Sequence, residues 1–197
     1  MTKEMLKKLI FPLPKQVEVQ EGLLTLTKAA VRVTADTHTA KCAGELIEKK
    51  LKELGVEVCN CAETVITLKL GDAPSEVSFA DQGYSIKVTA SGAELTGFGA
   101  RGVYYAAVTF VQLLKAKEVP YCEILDWPDM DFRGQIMETR LGTDCMEKQD
   151  WFDMIDDFAS QKINHLQVNV YQDGKIYQQE YERGKILYDL KVIGETE

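Results

Sequence analysis

The segment Asp126-Trp-Pro-Asp-Met-Asp131 constrains what this chain can fold into more than any other, because the hydrophobic pattern obeys different rules on its two sides. Upstream, short runs alternate at period two and are interrupted by two helical stripes. Downstream, a strand, a helix and a strand follow in turn. Pro120 and the segment 126–131 interrupt all periodicity and read as a link. Two domains are therefore expected, residues 1–128 and 129–197.

In the first, Val17-x-Val19, Leu24-x-Leu26 and Val31-x-Val33 alternate apolar and polar residues as half-buried strands do. Ala43, Leu46, Ile47, Leu51 and Leu54 then recur at helical spacing, with Gly55 as a C-terminal stop. Val65–Leu70 returns to a strand pattern, ended by Gly71-Asp-Ala-Pro74. Gly83–Val88 and Ala93–Gly97 read as a hairpin around Ala90-Ser-Gly92. Gly99-Ala-Arg-Gly102 opens a second helix, with Val103, Ala107, Phe110 or Val111, and Leu114 on one face. The class is α+β: a mainly antiparallel sheet covered by two helices.

In the second, Phe132–Glu138 is extended, Asp144 and Glu147 read as a capping box, and Trp151, Met154, Ile155 and Phe158 line one helical face. His165–Tyr171 is a second strand, so this is a β-α-β start with two parallel neighbours. The tail from Gln172 to Glu197, rich in Glu, Lys, Gln and Tyr, holds no second such unit.

A formal net charge of -8 argues against nucleic acid or an anionic membrane as partner, since binding phosphates takes undiluted Lys and Arg clusters. The longest apolar run, Val103–Leu114, is too short for a membrane span and contains Gln112. Near the N-terminus only Leu9-Ile-Phe11 separates the basic start from Pro12 and Pro14, which is too short for a signal peptide, and a cytoplasmic protein is expected. Five cysteines, an odd number, are scattered through a chain of ordinary core-forming composition, so reduced thiols are expected. Cys59-Asn-Cys61 is spaced more tightly than metal-binding thiol pairs and lacks a second pair, so both read as solvent-edge or core thiols. No cofactor or metal is expected.

Four segments in order resemble glycoside hydrolase family 20, the β-N-acetylhexosaminidases: Ile10-Phe-Pro-Leu-Pro-Lys-Gln-Val-Glu-Val19, Gly83–Val88, Gly99–Leu114 ending Thr109-Phe-Val-Gln-Leu-Leu114, and Asp126–Asn169 with its Lys162-Ile-Asn164 turn. The resemblance implies that a (β/α)8 catalytic barrel follows the first domain. Such barrels take about 250 residues, whereas 67 follow residue 130, so an incomplete barrel, its first β-α-β only, is expected. The family's catalytic Asp-Glu pair lies at the end of the fourth strand, so no catalytic residue is assigned in this chain. By family mechanism the Glu protonates the leaving oxygen, the substrate's acetamide attacks the anomeric carbon, and the Asp orients that acetamide.

One sugar-binding residue is carried over by the resemblance: Arg133, of the Arg-Gly pair opening the first barrel strand, whose planar fork of donors suits neighbouring hydroxyls. The alternative is an ion pair with Glu138 or Asp131. Where the family carries two histidines before an Asp, this chain has Gln167 and Asn169, with Asp173 beyond. Alternate strand positions point the same way, so Asn169 and Asp173 are weaker substrate-binding candidates, and specificity for N-acetylhexosamine is open. Asp129 with Asp131, and Asp156 with Asp157, read as surface charge, and His38 and His165 as structural.

The expected function is thus the N-terminal portion of a glycoside hydrolase, inactive alone, with carbohydrate as the substrate of the full-length protein. A noncatalytic carbohydrate-binding or partner-docking module is the alternative. A third reading is a natural truncation or a misassembled gene whose tail from Gln172 is foreign to the family. Exposed barrel strands would favour self-association.

Overall fold

The computed structural model describes Leu6 and residues 8–114, 117–138 and 146–169. It divides after Asp131 into two compact units, Met1–Asp131 and Phe132–Glu197.

In the first unit the period-two runs become β1 (Gln16–Thr25), β2 (Lys28–Val33), β4 (Val65–Leu70), β5 (Tyr84–Thr89) and β6 (Gly92–Gly97), joined by a short β3 (Glu57–Val58) and by β7 (Glu118–Asp126). The helical stripes become α1 (His38–Glu53) and α2 (Ala100–Leu113). Thr37 caps α1, its hydroxyl accepting from the Ala40 N–H at 3.2 Å, and Gly55 supplies the left-handed residue (φ 69°) just beyond the C-terminal end.

The strands form one sheet in the order β1-β7-β5-β6-β4-β2-β3. It is mixed rather than mainly antiparallel. Pairs β1-β7, β7-β5 and β5-β6 are antiparallel, and β6-β4, β4-β2 and β2-β3 are parallel. Helix α1 lies between β2 and β4 in the chain, and a helical crossover returns the chain to the same end of the sheet, which makes the pair parallel.

Two more expectations change. Leu24 and Leu26 do not start a strand of their own: β1 runs from the Val17 pair through Leu24, with an irregularity between Val19 and Leu23. Gly22 takes φ 121° there, and a Cβ at that position would lie 2.2 Å from the Tyr121 ring. Pro120 and Asp126 belong not to a link but to strand β7. At Pro120 the strand has only β1 beside it, since pairing with β5 stops at Cys122, and its partner Leu23 adjoins the bulge. A proline is tolerated at such a place.

Both helices cover one face. Ala40, Ala43, Ile47 and Leu51 of α1, and Val103, Ala107, Phe110 and Leu113 of α2, are buried with Ile66, Leu68, Ile86, Leu95, Val119 and Ile124 of the sheet. Each of the larger aliphatic or aromatic side chains contributes roughly 1.5–3 kcal/mol on burial. Gly102 lets α2 settle on the sheet end: a Cβ there would stand 2.1 Å from the Gly83 carbonyl oxygen. The other face is polar and exchanges charges across strands, Lys87 with Glu123 at 2.6 Å and Lys69 with Glu94 at 2.9 Å.

The second unit holds β8 (Gly134–Glu138), α3 (Lys148–Ser160) and β9 (His165–Asn169), with β8 and β9 parallel. The cap of α3 sits three residues later than expected. Glu147 and Asp150 form the reciprocal box, and Asp144 lies outside the described residues. Trp151, Met154, Ile155 and Phe158 share the stripe, yet no residue of α3 is fully buried. No helix among the described residues is long and apolar enough to cross a membrane.

Cys59 and Cys61 are joined by a disulfide, which corrects the expectation of reduced thiols. The turn brings their Cα atoms to 5.4 Å, inside the range a disulfide spans. Cys42 and Cys122 remain thiols. Burial, and secondarily Glu123, push the Cys122 thiol from its ordinary 9.0 up to about 12. A folded pKa above the unfolded value means the native state resists losing this proton. The associated stability is complete below pH 9 and drains away as pH rises through 9 toward 12. Urea unfolding at pH 8 and pH 10.5 should therefore show a loss of about 2 kcal/mol from this group alone. In Cys122→Ala that part of the difference should vanish, and an equal alkaline loss in the variant would sink the assignment.

Candidate functional site

The residues that the family resemblance singles out cluster on the segment leading into β8 and on the two strands of the second unit. The lead-in is held from inside the first unit. Asp126, at the end of β7, is buried, and its Oδ2 accepts from the Tyr84 hydroxyl at 2.8 Å. That hydroxyl also bonds Thr109 Oγ1 at 2.7 Å, and Asp126 Oδ1 accepts the Lys15 N–H at 3.2 Å. Burial, then the charge of Asp126, raise the Tyr84 hydroxyl well above its usual 10.0, so it stays a neutral donor. Further along, the Lys15 ammonium pairs with Asp129 and lies 5.3 Å from the Trp127 ring centre. The amide of fully buried Gln82 donates to the Asp131 backbone carbonyl at 3.1 Å and to its carboxylate. Asp129 and Asp131 are thus anchors of the link rather than merely surface charge, whereas Asp156 and Asp157 are exposed on α3.

Arg133 stands immediately before Gly134, at the N-terminal end of β8. Its Nε donates to the Lys162 carbonyl at 3.0 Å, and its backbone N–H donates to Asn164 Oδ1 at 2.9 Å. The Asn164 N–H returns a bond of 2.9 Å to the Arg133 carbonyl. Lys162 itself is buried and takes φ 59°, a conformation in which its carbonyl receives the guanidinium. Arg133 and the Lys162-Ile-Asn164 turn therefore form one clasp that starts both parallel strands in register, Gly134 opposite His165. Phe132 adds a ring contact with His165 at 4.5 Å.

This geometry separates the expected site residues. Asn169 is at the C-terminal end of β9, opposite Glu138. It lies five residues of strand beyond the level of Arg133, about 16 Å at the usual rise per residue. Gln167 and His165, earlier on β9, are exposed. Asp173 lies outside the described residues, as do Thr139 and Arg140, which follow the C-terminal end of β8 in the sequence. In parallel β/α barrels the chemistry sits at the C-terminal ends of strands, and the opposite end serves stability. Among the described residues no three His, Cys, Asp or Glu side chains converge as metal ligands.

Residues 7–127 match the family model for glycosyl hydrolase family 20, domain 2. The chain belongs to this family. It is 24% identical over 166 residues to a β-hexosaminidase of Vibrio vulnificus, covering 83% of this chain and 18% of that protein. Its fold resembles the family 20 exo-β-N-acetylglucosaminidase of Vibrio harveyi, solved with N-acetylglucosamine, with a TM-score of 0.65 and 21% identity over 83% of this chain and 25% of that one. The chain thus spans about a fifth to a quarter of these relatives. A stretch of 32 residues is also 62% identical to part of the DNA gyrase of Enterococcus faecalis, covering 16% of this chain and 5% of that gyrase polypeptide.

The clasp at Arg133 yields a direct test. Asn164→Ala removes the side-chain acceptor of the Arg133 N–H and should destabilise the β8-α3-β9 unit by roughly 1–3 kcal/mol. Amide exchange of residues 134–138 and 165–169 should speed up several-fold while β5 and β7 exchange unchanged. Unaltered protection in β8 and β9 would show that the clasp does not hold them.

Proposed function

We propose that this chain is the N-terminal part of a glycoside hydrolase resembling β-N-acetylhexosaminidase, and that hydrolysis belongs to the longer gene product. The observation that carries this reading is the match of residues 7–127 to the family's second domain, followed by a parallel β-α-β unit. In the full-length protein the substrate is a terminal N-acetylhexosamine. It is cleaved with retention by a Glu acid and an acetamide nucleophile that an Asp orients.

Within this chain, the sugar-facing side of the second unit is the C-terminal end of β8 and β9, where Asn169 stands. Arg133 acts there indirectly, by fixing where both strands begin. Its Nε is engaged by the Lys162 carbonyl at the N-terminal end of the strands, and direct contact of the guanidinium with sugar hydroxyls stays part of the proposal. Gln167 and Asn169 stand where the family has histidines, so aryl glycosides besides the N-acetylglucosaminide belong in the assay.

The 197-residue chain should release no aryl alcohol from aryl N-acetylglucosaminides above a no-enzyme control, whereas the full-length gene product should. Turnover by the chain itself, abolished by one Asp or Glu substitution within it, would place the acid here and overturn the proposal.

The gyrase-like stretch favours a second reading, in which part of the chain comes from an unrelated gene joined to a family 20 start. Sequencing the chromosomal locus across the Gln172 codon decides it. A locus that encodes residues 1–197 without a join, in independent isolates, would exclude it.

A further inference from the structure

We propose that the Cys59-Asn60-Cys61 turn is a redox site that exchanges between disulfide and dithiol with low-molecular-weight thiols. Nothing in the glycosidase reading uses it, and it lies on the first unit, between β3 and β4.

The backbone holds the two sulfurs together whether or not they are bonded. On one side, the Cys59 N–H donates to the Ala29 carbonyl at 3.0 Å, which extends the pairing of β3 with β2. On the other, the Ala62 N–H closes the turn on the Cys59 carbonyl at 3.2 Å, and Ala62 is buried. Reduction therefore requires no strand to move. A disulfide stabilises a fold chiefly by closing a long loop in the unfolded chain, and one intervening residue is the shortest loop but one. The sheet does not rest on this bond, which leaves its chemistry as its main consequence.

Access and selectivity point the same way. Cys61 is exposed and Cys59 half-buried, so an incoming thiolate reaches the Cys61 sulfur. The other described thiols are poorly suited. Cys122 is buried in β7 with its thiol pushed up to about 12, and Cys42 is raised by burial and by Glu45. A thiolate is the reactive form, so oxidants and disulfides should find the turn before either of these.

The exchange balances as two successive displacements. A thiolate of the small thiol attacks Cys61 Sγ, the S–S bond breaks, and Cys59 leaves as a thiolate that takes up a proton. A second small thiolate then attacks the small-thiol sulfur of the mixed disulfide, which releases Cys61 as thiolate. Two small thiols are oxidised to their disulfide, and the protein disulfide gains two electrons.

The test uses the 197-residue chain in glutathione buffers of graded reduced-to-oxidised ratio, quenched with an alkylating agent and read by peptide mass spectrometry over residues 59–61. The 59–61 disulfide should convert to doubly alkylated dithiol in a single reversible step as the ratio rises, with an unchanged far-ultraviolet circular dichroism spectrum. In Cys59→Ser the remaining Cys61 has no resolving partner, so its mixed disulfide with glutathione should accumulate at least about tenfold over wild type in oxidised buffer. A wild-type pair locked in one state at every ratio overturns the proposal, as does equal accumulation of mixed disulfide in wild type and variant. Failure of either arm leaves the glycosidase reading untouched, since that rests on other residues.

Discussion

A single buried carboxylate conditions most of the first unit. Asp126 places a carboxyl group in a largely buried site, and a buried polar group is tolerated only where hydrogen bonds replace its hydration. Those bonds come from three separate parts of the chain: the Tyr84 hydroxyl on β5, the Lys15 N–H on the approach to β1, and, through Tyr84, Thr109 on α2. Tyr84 and Asp126 are also register partners in the β5-β7 ladder. A slip of one residue between these strands would turn one of the two to the opposite face and break the hydrogen bond between them. Sheet register, the seating of α2 and the starting point of the link are therefore one condition rather than three.

Much of this unit could be read from the sequence, and the exceptions have physical causes. Strands with alternating burial, such as β4 and β5, announce themselves because each buries one face, and α1 and α2 do so through their apolar stripes. β7 alternates equally well along most of its length, but Pro120 disguised it, since proline ordinarily argues against a strand flanked on both sides. Here the strand has one neighbour at that point. β3 is two residues long, too short for any period. The parallel half of the sheet was hidden because pairing direction depends on where a crossover returns the chain, and residue periodicity is the same for both directions. The Cys59–Cys61 disulfide was hidden for a related reason: spacing gives separation along the chain, whereas a turn sets separation in space.

For the second unit, matching motifs and assigning roles are different problems. Arg133 and the Lys162-Ile-Asn164 turn were both visible as family features, and both prove to belong to one clasp. A motif identifies which residues recur together, but only strand direction says at which end of a sheet they lie. Arg133 at a strand start, with its backbone held on both sides by Asn164, is placed to set geometry for residues further up the strands. Asn169 is at the far end of β9, opposite Glu138.

The two units also differ in how far their apolar surface is satisfied. The first has an inner face covered by two helices and an outer face finished by cross-strand charge. Exposed ion pairs add little to stability, so their sign pattern matters more for solubility. The edges of this sheet are blunted, one by the bulge at Gly22 and the other by the brevity of β3. In the second unit, α3 carries an apolar stripe of Trp151, Met154, Ile155 and Phe158, none of them fully buried, and β8 leaves Ile136 56% exposed. A helix of that pattern is shaped to pack in a layer. The contrast lies in the interiors rather than on the surfaces, because large apolar side chains are exposed on both units, Phe11, Leu13 and Met130 on the first and Phe132 and Ile136 on the second.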